Sequence, residues 1–277
     1  MGMPVSTATH MRRSRWAAII AIVVALAAIG LTYTLIGTTS QASAAQTEEP
    51  TSAMVEEGRQ LFVEGCSSCH GLNAEGIDGA TVNNGGNGGP SLIGVGAAAV
   101  DFQVSTGRMP LAGPEAQAPA KTPMYTPEET AALAAYIASL APGPAIPSEE
   151  QLDYEGADLA EGGELFRTNC SQCHNFAGRG GALSDGAYAP SLMDATPLQM
   201  YEAMLTGPQQ MPVFGEGTLT PEDKQAIIKY IEEVKTAPNP GGHDLGSLGP
   251  VTEGVFLWTA GLGLVIAVAV WIGAKVR

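Results

Sequence analysis

The segments Cys66-Ser67-Ser68-Cys69-His70 and Cys170-Ser171-Gln172-Cys173-His174 contain all four cysteines of this 277-residue chain. Each segment has the pattern Cys-x-x-Cys-His. A chain that confines its thiols to two copies of one pattern, each followed by a histidine, is using them for one specific chemistry.

The sequence around each motif is also repeated. The first copy reads LFVEGCSSCH, TGRMP and TPEETAALAAYI, and the second reads LFRTNCSQCH, GPQQMP and TPEDKQAIIKYI, in the same order. An internal repeat of this length predicts two similar domains, which we place at residues 51–141 and 157–236. Residues 141–156 and 237–250 are rich in Pro and Gly and are predicted to be linkers.

Each domain is predicted to be mainly α-helical. An opening helix should run into the first cysteine of each motif, with Leu61 and Phe62, or Leu165 and Phe166, on its apolar face. A closing helix should begin at Thr126-Pro127 and at Thr220-Pro221, because threonine suits the N-cap and proline the first helical position. The predicted apolar stripes of the closing helices are Leu133, Tyr136, Ile137 and Leu140 in the first domain, and Ile227, Tyr230, Ile231 and Val234 in the second.

Two uncharged stretches are long enough to cross a membrane as helices, residues 16–37 and residues 254–274. Basic residues precede the first stretch and follow the second. The positive-inside rule then places both termini in the cytoplasm and the two domains on the extracytoplasmic side of the cell membrane. For residues 1–44 a cleaved signal peptide, with Ala42 and Ala44 at its cleavage site, remains the alternative.

The region between the two stretches is strongly acidic. Residues 38–250 contain 8 basic and 27 acidic residues, a net charge of −19 with histidine neutral. This charge argues against nucleic acid as a partner. It suits docking of a basic protein face, although it could equally serve solubility alone.

The Cys-x-x-Cys-His pattern is the attachment signature of c-type haem. The predicted covalent sites are Cys66 and Cys69 for one haem and Cys170 and Cys173 for the other, with two haem c groups in total. A structural zinc site would need two cysteine pairs closer in sequence, a thioredoxin-like site would need a strand–helix context, and plain disulfides would not need the histidines.

Each iron would take one histidine and one methionine as axial ligands, a pair that favours electron transfer. We predict His70 with Met109 and His174 with Met211, because each methionine precedes a proline at a similar distance from its histidine. Met124 is the alternative to Met109. We expect Met193, Met200 and Met204 to be packing residues. The carbonyls of Pro90 and Pro190 could orient the histidines, although both prolines could instead simply form turns.

The quoted motifs resemble those of class I cytochrome c domains, and the resemblance covers residues 51–236. Two such domains followed by a membrane span are similar to the dihaem cytochrome c subunits of actinobacterial cytochrome bcc complexes, which oxidise menaquinol. The resemblance implies an electron-transfer subunit with no catalytic residues of its own. Its implied partners are cytochrome b, a Rieske iron–sulfur subunit and a haem–copper terminal oxidase. The alternatives are a dihaem subunit of a cbb-type oxidase, a tethered general electron carrier and a dihaem peroxidase, although the matched methionines argue against the open haem face that a peroxidase needs.

Overall fold

The structure, a computed structural model, describes residues 23–27, 50–77, 88–113, 117–237 and 250–275. The chain divides into two units, Met1–Glu48 and Glu49–Arg277. In the first unit, residues 23–27 are helical, and the rest of the span predicted at residues 16–37 lies outside the described residues.

The second unit is mainly helical, as the repeat predicts. In the first domain the helices are α1 (Ser52–Gly65), α2 (Ser67–His70), α3 (Ala97–Ser105) and α4 (Pro127–Leu140). In the linker and second domain they are α5 (Glu149–Leu152), α6 (Leu159–Asn169), α7 (Ser171–His174), α8 (Pro197–Thr206) and α9 (Pro221–Thr236), with a 3-10 turn at Ser184–Gly186. Strands β1 (Gly181–Ala182) and β2 (Tyr188–Ala189) form a short antiparallel ladder that pairs Gly181 with Ala189.

The closing helices α4 and α9 begin where the sequence predicts. The Thr126 hydroxyl accepts a hydrogen bond from the Glu129 amide at 3.2 Å, and the Glu129 carboxylate accepts one from the Thr126 amide at 2.8 Å. Thr220 and Asp223 repeat this pair of bonds at 3.2 and 2.8 Å. These capping boxes satisfy amides that a helix start would otherwise leave unbonded.

The opening and closing helices of each domain cross at a glycine. A Cβ atom on Gly58 of α1 would lie 1.9 Å from the carbonyl oxygen of Ala132 on α4. A Cβ on Gly162 of α6 would lie at the same distance from the carbonyl oxygen of Ala226 on α9. The two helix backbones therefore approach so closely that no side chain larger than hydrogen fits between them.

Aromatic pairs extend this crossing into the core. The rings of Phe62 and Tyr136 have centroids 5.4 Å apart in the first domain, and Phe166 and Tyr230 match them in the second. The buried core of the first domain comprises Phe62, Ala74, Val104, Leu133, Tyr136 and Ile137. That of the second comprises Phe166, Met200, Tyr201, Met204, Phe214, Leu219, Ile227, Ile228 and Ile231.

The predicted stripes need two corrections. Leu140 is 36% exposed, because it is the last residue of α4 and extends beyond the crossing with α1. Ile228, which the predicted stripe omitted, is completely buried. It belongs to the core cluster of the second domain, so α9 is buried over a wider face than its contact with α6. Met200 and Met204 pack in the core, as predicted.

The predicted linker at residues 141–156 contacts both domains, and the Ala98 amide of the first domain donates to the Pro144 carbonyl at 3.1 Å. Helix α5 lies within the linker, and the Gln151 side-chain amide donates to the Tyr201 hydroxyl at 3.3 Å. Gln225 of α9 donates to the Glu150 carbonyl at 2.8 Å. The second part of this segment is therefore bonded to α8 and α9 and does not form a free linker.

The C-terminal helix consists of α10 (Pro250–Phe256), a π-helical segment at Leu257–Leu262 and α11 (Gly263–Lys275). Within Thr252–Ala274 the most apolar stretch of 18 residues has a mean hydropathy of 2.3, and none of that stretch is buried against the rest of the protein. The 23 residues of Thr252–Ala274 are long enough to cross a bilayer. This helix agrees with the span predicted at residues 254–274.

The two domains contact each other through α3 and α8 and through two glutamine side chains. The Gln117 amide donates to the Tyr188 carbonyl at 2.7 Å and accepts from the Tyr188 amide at 2.8 Å. Gln209 of the second domain makes the reciprocal pair with the backbone of Ala118, both at 3.1 Å. Each glutamine thereby bonds both the backbone amide and the backbone carbonyl of one residue in the other domain. These bonds fix the position of the two domains relative to each other.

A buried carboxyl group also lies at this contact. Glu202 of α8 is fully buried, and the group beside its carboxyl is the carboxyl of Asp101 on α3. Burial, followed by the nearby carboxylate of Asp101 on α3, raises the pKa of Glu202 to about 9. Burial also raises the pKa of Asp101. The domain contact therefore holds a proton on Glu202 at neutral pH.

We expect Gly162→Ala to lower the free energy of unfolding by roughly 3 kcal/mol, the upper end of overpacking costs, because the new methyl group would push α6 away from α9. Gly156→Ala is the matched control, since nothing lies within 4 Å of a Cβ at that position. Chemical denaturation of both variants measures the difference. Equal stability of the two variants would contradict the close crossing.

We expect Glu202→Gln to reduce the pH dependence of stability. The folded state keeps the Glu202 proton up to about pH 9, whereas an unfolded glutamate loses it near its ordinary pKa of about 4.3. The stability that this proton confers is fully present below the pKa of the unfolded state, and it declines as the pH rises toward 9. The melting temperature of the wild-type chain should therefore fall more steeply between pH 5 and 8.5 than that of the variant.

Glu164→Gln, at an exposed position of α6, removes the same formal charge and serves as the control. Its melting curve should follow the wild-type pH dependence. The interpretation of Glu202 is wrong if the Glu202→Gln variant does so too.

Candidate haem sites

Both Cys-x-x-Cys-His motifs form a single helical turn at the end of an opening helix. The Cys66 amide donates to the Phe62 carbonyl at 2.8 Å, and the His70 amide donates to the Cys66 carbonyl at 3.0 Å. In the second domain the Cys170 and His174 amides make the corresponding bonds, each at 2.9 Å. Residues three and four positions apart lie on one face of a helix, so each turn directs two thiols and an imidazole to the same side.

The thiols are available for attachment. None of the four cysteines is in a disulfide, and Cys66, Cys69 and Cys170 are partly buried whereas Cys173 is exposed. Burial raises the pKa of the Cys66 and Cys170 thiols to about 11. The two first cysteines are therefore neutral thiols at physiological pH, in apolar surroundings that suit a porphyrin edge.

Each histidine is oriented by the carbonyl of a proline. His70 Nδ1 lies 2.7 Å from the Pro90 oxygen, and His174 Nδ1 lies 3.0 Å from the Pro190 oxygen. Because a carbonyl only accepts hydrogen bonds, Nδ1 must carry the proton, and the lone pair is left on Nε2. Burial lowers the pKa of His174, which also favours the neutral ring. Of the two roles considered for these prolines, the structure places both carbonyls in the orienting one.

The three candidate methionines differ sharply in their surroundings. Met109 packs against the core of the first domain and Met211 against the core of the second. Met124 is 69% exposed. An axial ligand must face the interior where a haem would lie, so the packing favours Met109 over Met124.

A cavity of about 480 Å³ lies beside the Cys-x-x-Cys-His turn of the second domain, and its volume is within the roughly 300–1,000 Å³ typical of ligand sites. Its wall includes all four predicted site residues of that domain, Cys170, Cys173, His174 and Met211. Most of the remaining wall is apolar, with Phe166, Met200, Met204, Phe214, Ile227 and Ile231 among its residues. Thiols, a neutral imidazole and a thioether around an apolar cavity are the donor set that c-type haem requires.

In the first domain the same donors are present, and part of the surrounding chain lies outside the described residues. Cys66 and Met109 contact the core cluster around Phe62, and His70 is held by Pro90. Residues 78–87, which follow the motif, are among those not described. The described donors match those of the second domain residue for residue.

Lys121 holds the loop that carries Met109, a role that the sequence analysis missed. Its ammonium donates to the carbonyls of Pro110 at 2.7 Å and Arg108 at 3.2 Å, and also to that of Gly107. One lysine therefore binds the backbone on both sides of the methionine. Lys121 is one of three basic residues in residues 51–141, and sequence spacing alone could not connect it to this loop.

Comparison with known families agrees with the repeat. A family model described as "Cytochrome c" matches residues 55–141, and one described as "Cytochrome C oxidase, cbb3-type, subunit III" matches residues 157–231. Two cytochrome c domains imply covalently bound haem c, and two domains are consistent with two groups. These matches concern single domains.

Whole-chain relatives are more informative. The "Cytochrome bc1 complex cytochrome c subunit" of Corynebacterium efficiens is 44% identical over 269 residues, which cover 92% of this chain and 88% of that protein. The protein of the same name from Mycobacterium tuberculosis is 43% identical over 274 residues, covering 97% of this chain and 94% of its own length.

The chain belongs to the cytochrome bc1 complex cytochrome c subunit family. As a member of this family it is an electron-transfer component of a respiratory complex. The family and the apolar C-terminal helix together indicate association with a membrane. The resemblance inferred from the motifs is thereby confirmed at the level of the family.

We expect Met109→Leu to abolish sulfur ligation at the first haem, while Met124→Leu leaves it intact. Leucine preserves volume but cannot bind iron, so packing should change little. In Met109→Leu the far-red absorption band of methionine-ligated ferric haem should lose about half its intensity, because one of two such haems is lost. The reduction potential of the first haem should decrease, since axial ligands control haem potentials over a range of roughly 0.8 V. The opposite result for the two variants would make Met124 the ligand.

Proposed function

We propose that this chain is the membrane-anchored dihaem subunit of a respiratory menaquinol–cytochrome c reductase. It would carry electrons from the Rieske iron–sulfur centre toward a terminal haem–copper oxidase. The observation that carries this proposal is the presence of two matched sets of thiols, imidazole and thioether in one ordered unit. Relatives named as bc1 complex subunits along most of the chain support it.

Cys66 and Cys69 would attach one haem, with His70 and Met109 as axial ligands. Cys170 and Cys173 would attach the other, with His174 and Met211. Haem c supplies reversible one-electron redox chemistry when bound. The chain's own contribution is to hold the imidazole in one orientation through Pro90 or Pro190 and to surround the site with apolar side chains.

The proposed topology places residues 51–141 and 157–236 outside the cytoplasm. Helices at residues 16–37 and 254–274 would anchor both ends. A tether at each end replaces diffusion by a high effective concentration of the domains near donor and acceptor. The net charge of −19 on residues 38–250 suits contact with basic partner faces.

The proposed partners are cytochrome b, the Rieske subunit and the oxidase. Quinol oxidation would take place in those partners, and the chain itself would have no catalytic residues. The match of residues 157–231 to a cbb3-type oxidase subunit favours a second candidate, a dihaem oxidase subunit. A chain that co-purifies with an oxidase core and without cytochrome b would support that candidate.

The proposal is tested by purifying the tagged full chain in mild detergent. We expect a cytochrome b and an iron–sulfur subunit to co-purify, and the chain mass to exceed that of the polypeptide by two haem groups that survive denaturation. A chain that carries two haems but binds no other subunit would instead be a general electron carrier. A polypeptide mass without porphyrin would contradict the proposal completely.

We further expect Met211→Leu to lower the reduction potential of the second haem and to slow oxygen uptake driven by menaquinol. Loss of the sulfur ligand favours the oxidised iron and so makes the carrier harder to reduce. Met193→Leu is the control, because Met193 packs beside the same core and is not a proposed ligand. An unchanged potential in Met211→Leu would remove Met211 from the ligand set.

A further inference from the structure

The cavity around Cys170 and Met211 is completed by the first domain. Of the residues that the structure describes in that domain, five belong to its wall, namely Phe102, Thr106, Arg108, Gln117 and Ala120. The hydrogen bonds of Gln117 with Tyr188 and of Gln209 with Ala118 hold this wall in place. The environment of the second site therefore depends on both domains.

Arg108 is the cation in this wall. Among the described residues that line the cavity, Arg108 and Asp194 carry the charges. The Arg108 guanidinium lies 4.8 Å from the centroid of the Phe102 ring, and it forms no ion pair with a carboxylate of the described residues. A partly buried guanidinium stacked on one face still presents N–H donors at its edge, in a geometry suited to a carboxylate.

The backbone around Arg108 is fixed from two directions. Lys121 donates to the Arg108 carbonyl at 3.2 Å, and the Met109 amide donates to the Gln103 carbonyl at 2.9 Å. Met109 packs against the core of its own domain, whereas Arg108 lines the cavity of the other. Two consecutive residues thus serve two different sites.

The anion that such a cation would meet follows from the chemistry of the proposed ligand. A haem attached at Cys170 and Cys173 has two propionate carboxylates, which are its anionic groups. A carboxylate in an apolar cavity is costly unless a cation pairs with it.

We propose that Arg108 of the first domain binds a propionate of the haem held by the second domain, and that it raises the reduction potential of that haem. The inference rests on the proposed haem at Cys170 and Cys173. A positive charge beside a haem disfavours the more positive ferric state, and inside an apolar wall this effect is screened less than in water. The first domain would thereby set the potential of its neighbour.

The test compares three variants of the full chain in detergent by redox titration, with the second haem identified as the one whose potential Met211→Leu changes. Arg108→Gln should lower the ratio of reduced to oxidised second haem about tenfold at a fixed ambient potential, equivalent to about 59 mV for one electron. The reduction potential of the first haem should change by a smaller amount. Arg108→Lys should retain part of the effect, because it keeps the charge and loses the bidentate geometry.

Arg167→Gln is the matched control, since it removes the same charge from an exposed position of α6, three residues before Cys170. In Arg167→Gln the reduction potential of the second haem should equal the wild-type value within experimental error. The resonance Raman modes of the haem propionates provide a second readout, and they should shift in Arg108→Gln and not in Arg167→Gln.

Equal shifts in Arg108→Gln and Arg167→Gln, or unchanged propionate modes in Arg108→Gln, would overturn the inference. If Arg108→Gln fails to assemble with two haems, Arg108→Lys decides: wild-type propionate modes in that variant overturn the inference, and shifted modes support it. Failure of the proposed function is recognised separately, because the wild-type peptide containing Cys170 and Cys173 would then carry no porphyrin mass.

Discussion

The crossing of the first and last helices in each domain is the contact on which the rest of the structure depends. Gly58 and Gly162 allow the helix backbones to meet, and the aromatic pairs beside them seal the contact. Because each opening helix ends at a cysteine, the crossing also fixes where the Cys-x-x-Cys-His turn begins. The site chemistry is thus positioned by a purely steric constraint two turns of helix away. A domain of this size has little apolar area, so covalent haem would add the cross-link that its core lacks.

The domain contact adds a second level of organisation. It includes the packing of α3 against α8, two reciprocal glutamine–backbone pairs and a buried glutamate. Apolar contacts tolerate small displacements, whereas paired hydrogen bonds fix one position because leaving either group unbonded costs about 1–3 kcal/mol. Electron transfer between two sites in one chain benefits from such a fixed relation. We infer that polarity at this contact serves positional specificity more than stability.

The sequence predicted what depends on local patterns. The repeat, the capped closing helices at Thr126 and Thr220, the motif turns and the apolar C-terminal helix all follow from residue spacing and composition. What the sequence left unpredicted depends on contacts between distant residues. Lys121 lies 12 positions after Met109, and Glu202 is about a hundred residues from Asp101 in sequence. The residues next to them in sequence do not indicate either contact. Both repeats contain the glycine at which the helices cross. Because glycine has no side chain, it adds nothing to the apolar periodicity that identifies the packed face of a helix.

Charge distribution connects these levels. Residues 38–250 carry only 8 basic residues among 27 acidic ones, so each cation lies in a strongly negative field. Two of the eight, Arg108 and Lys121, belong to the same loop, where one lines the cavity of the second domain and the other binds the loop backbone beside Met109. An acidic surface suits docking of basic partners but would, by itself, favour oxidised haem and lower both potentials. If haem occupies the cavity, Arg108 would oppose that field at the second site, while the acidic residues elsewhere would leave the surface negative.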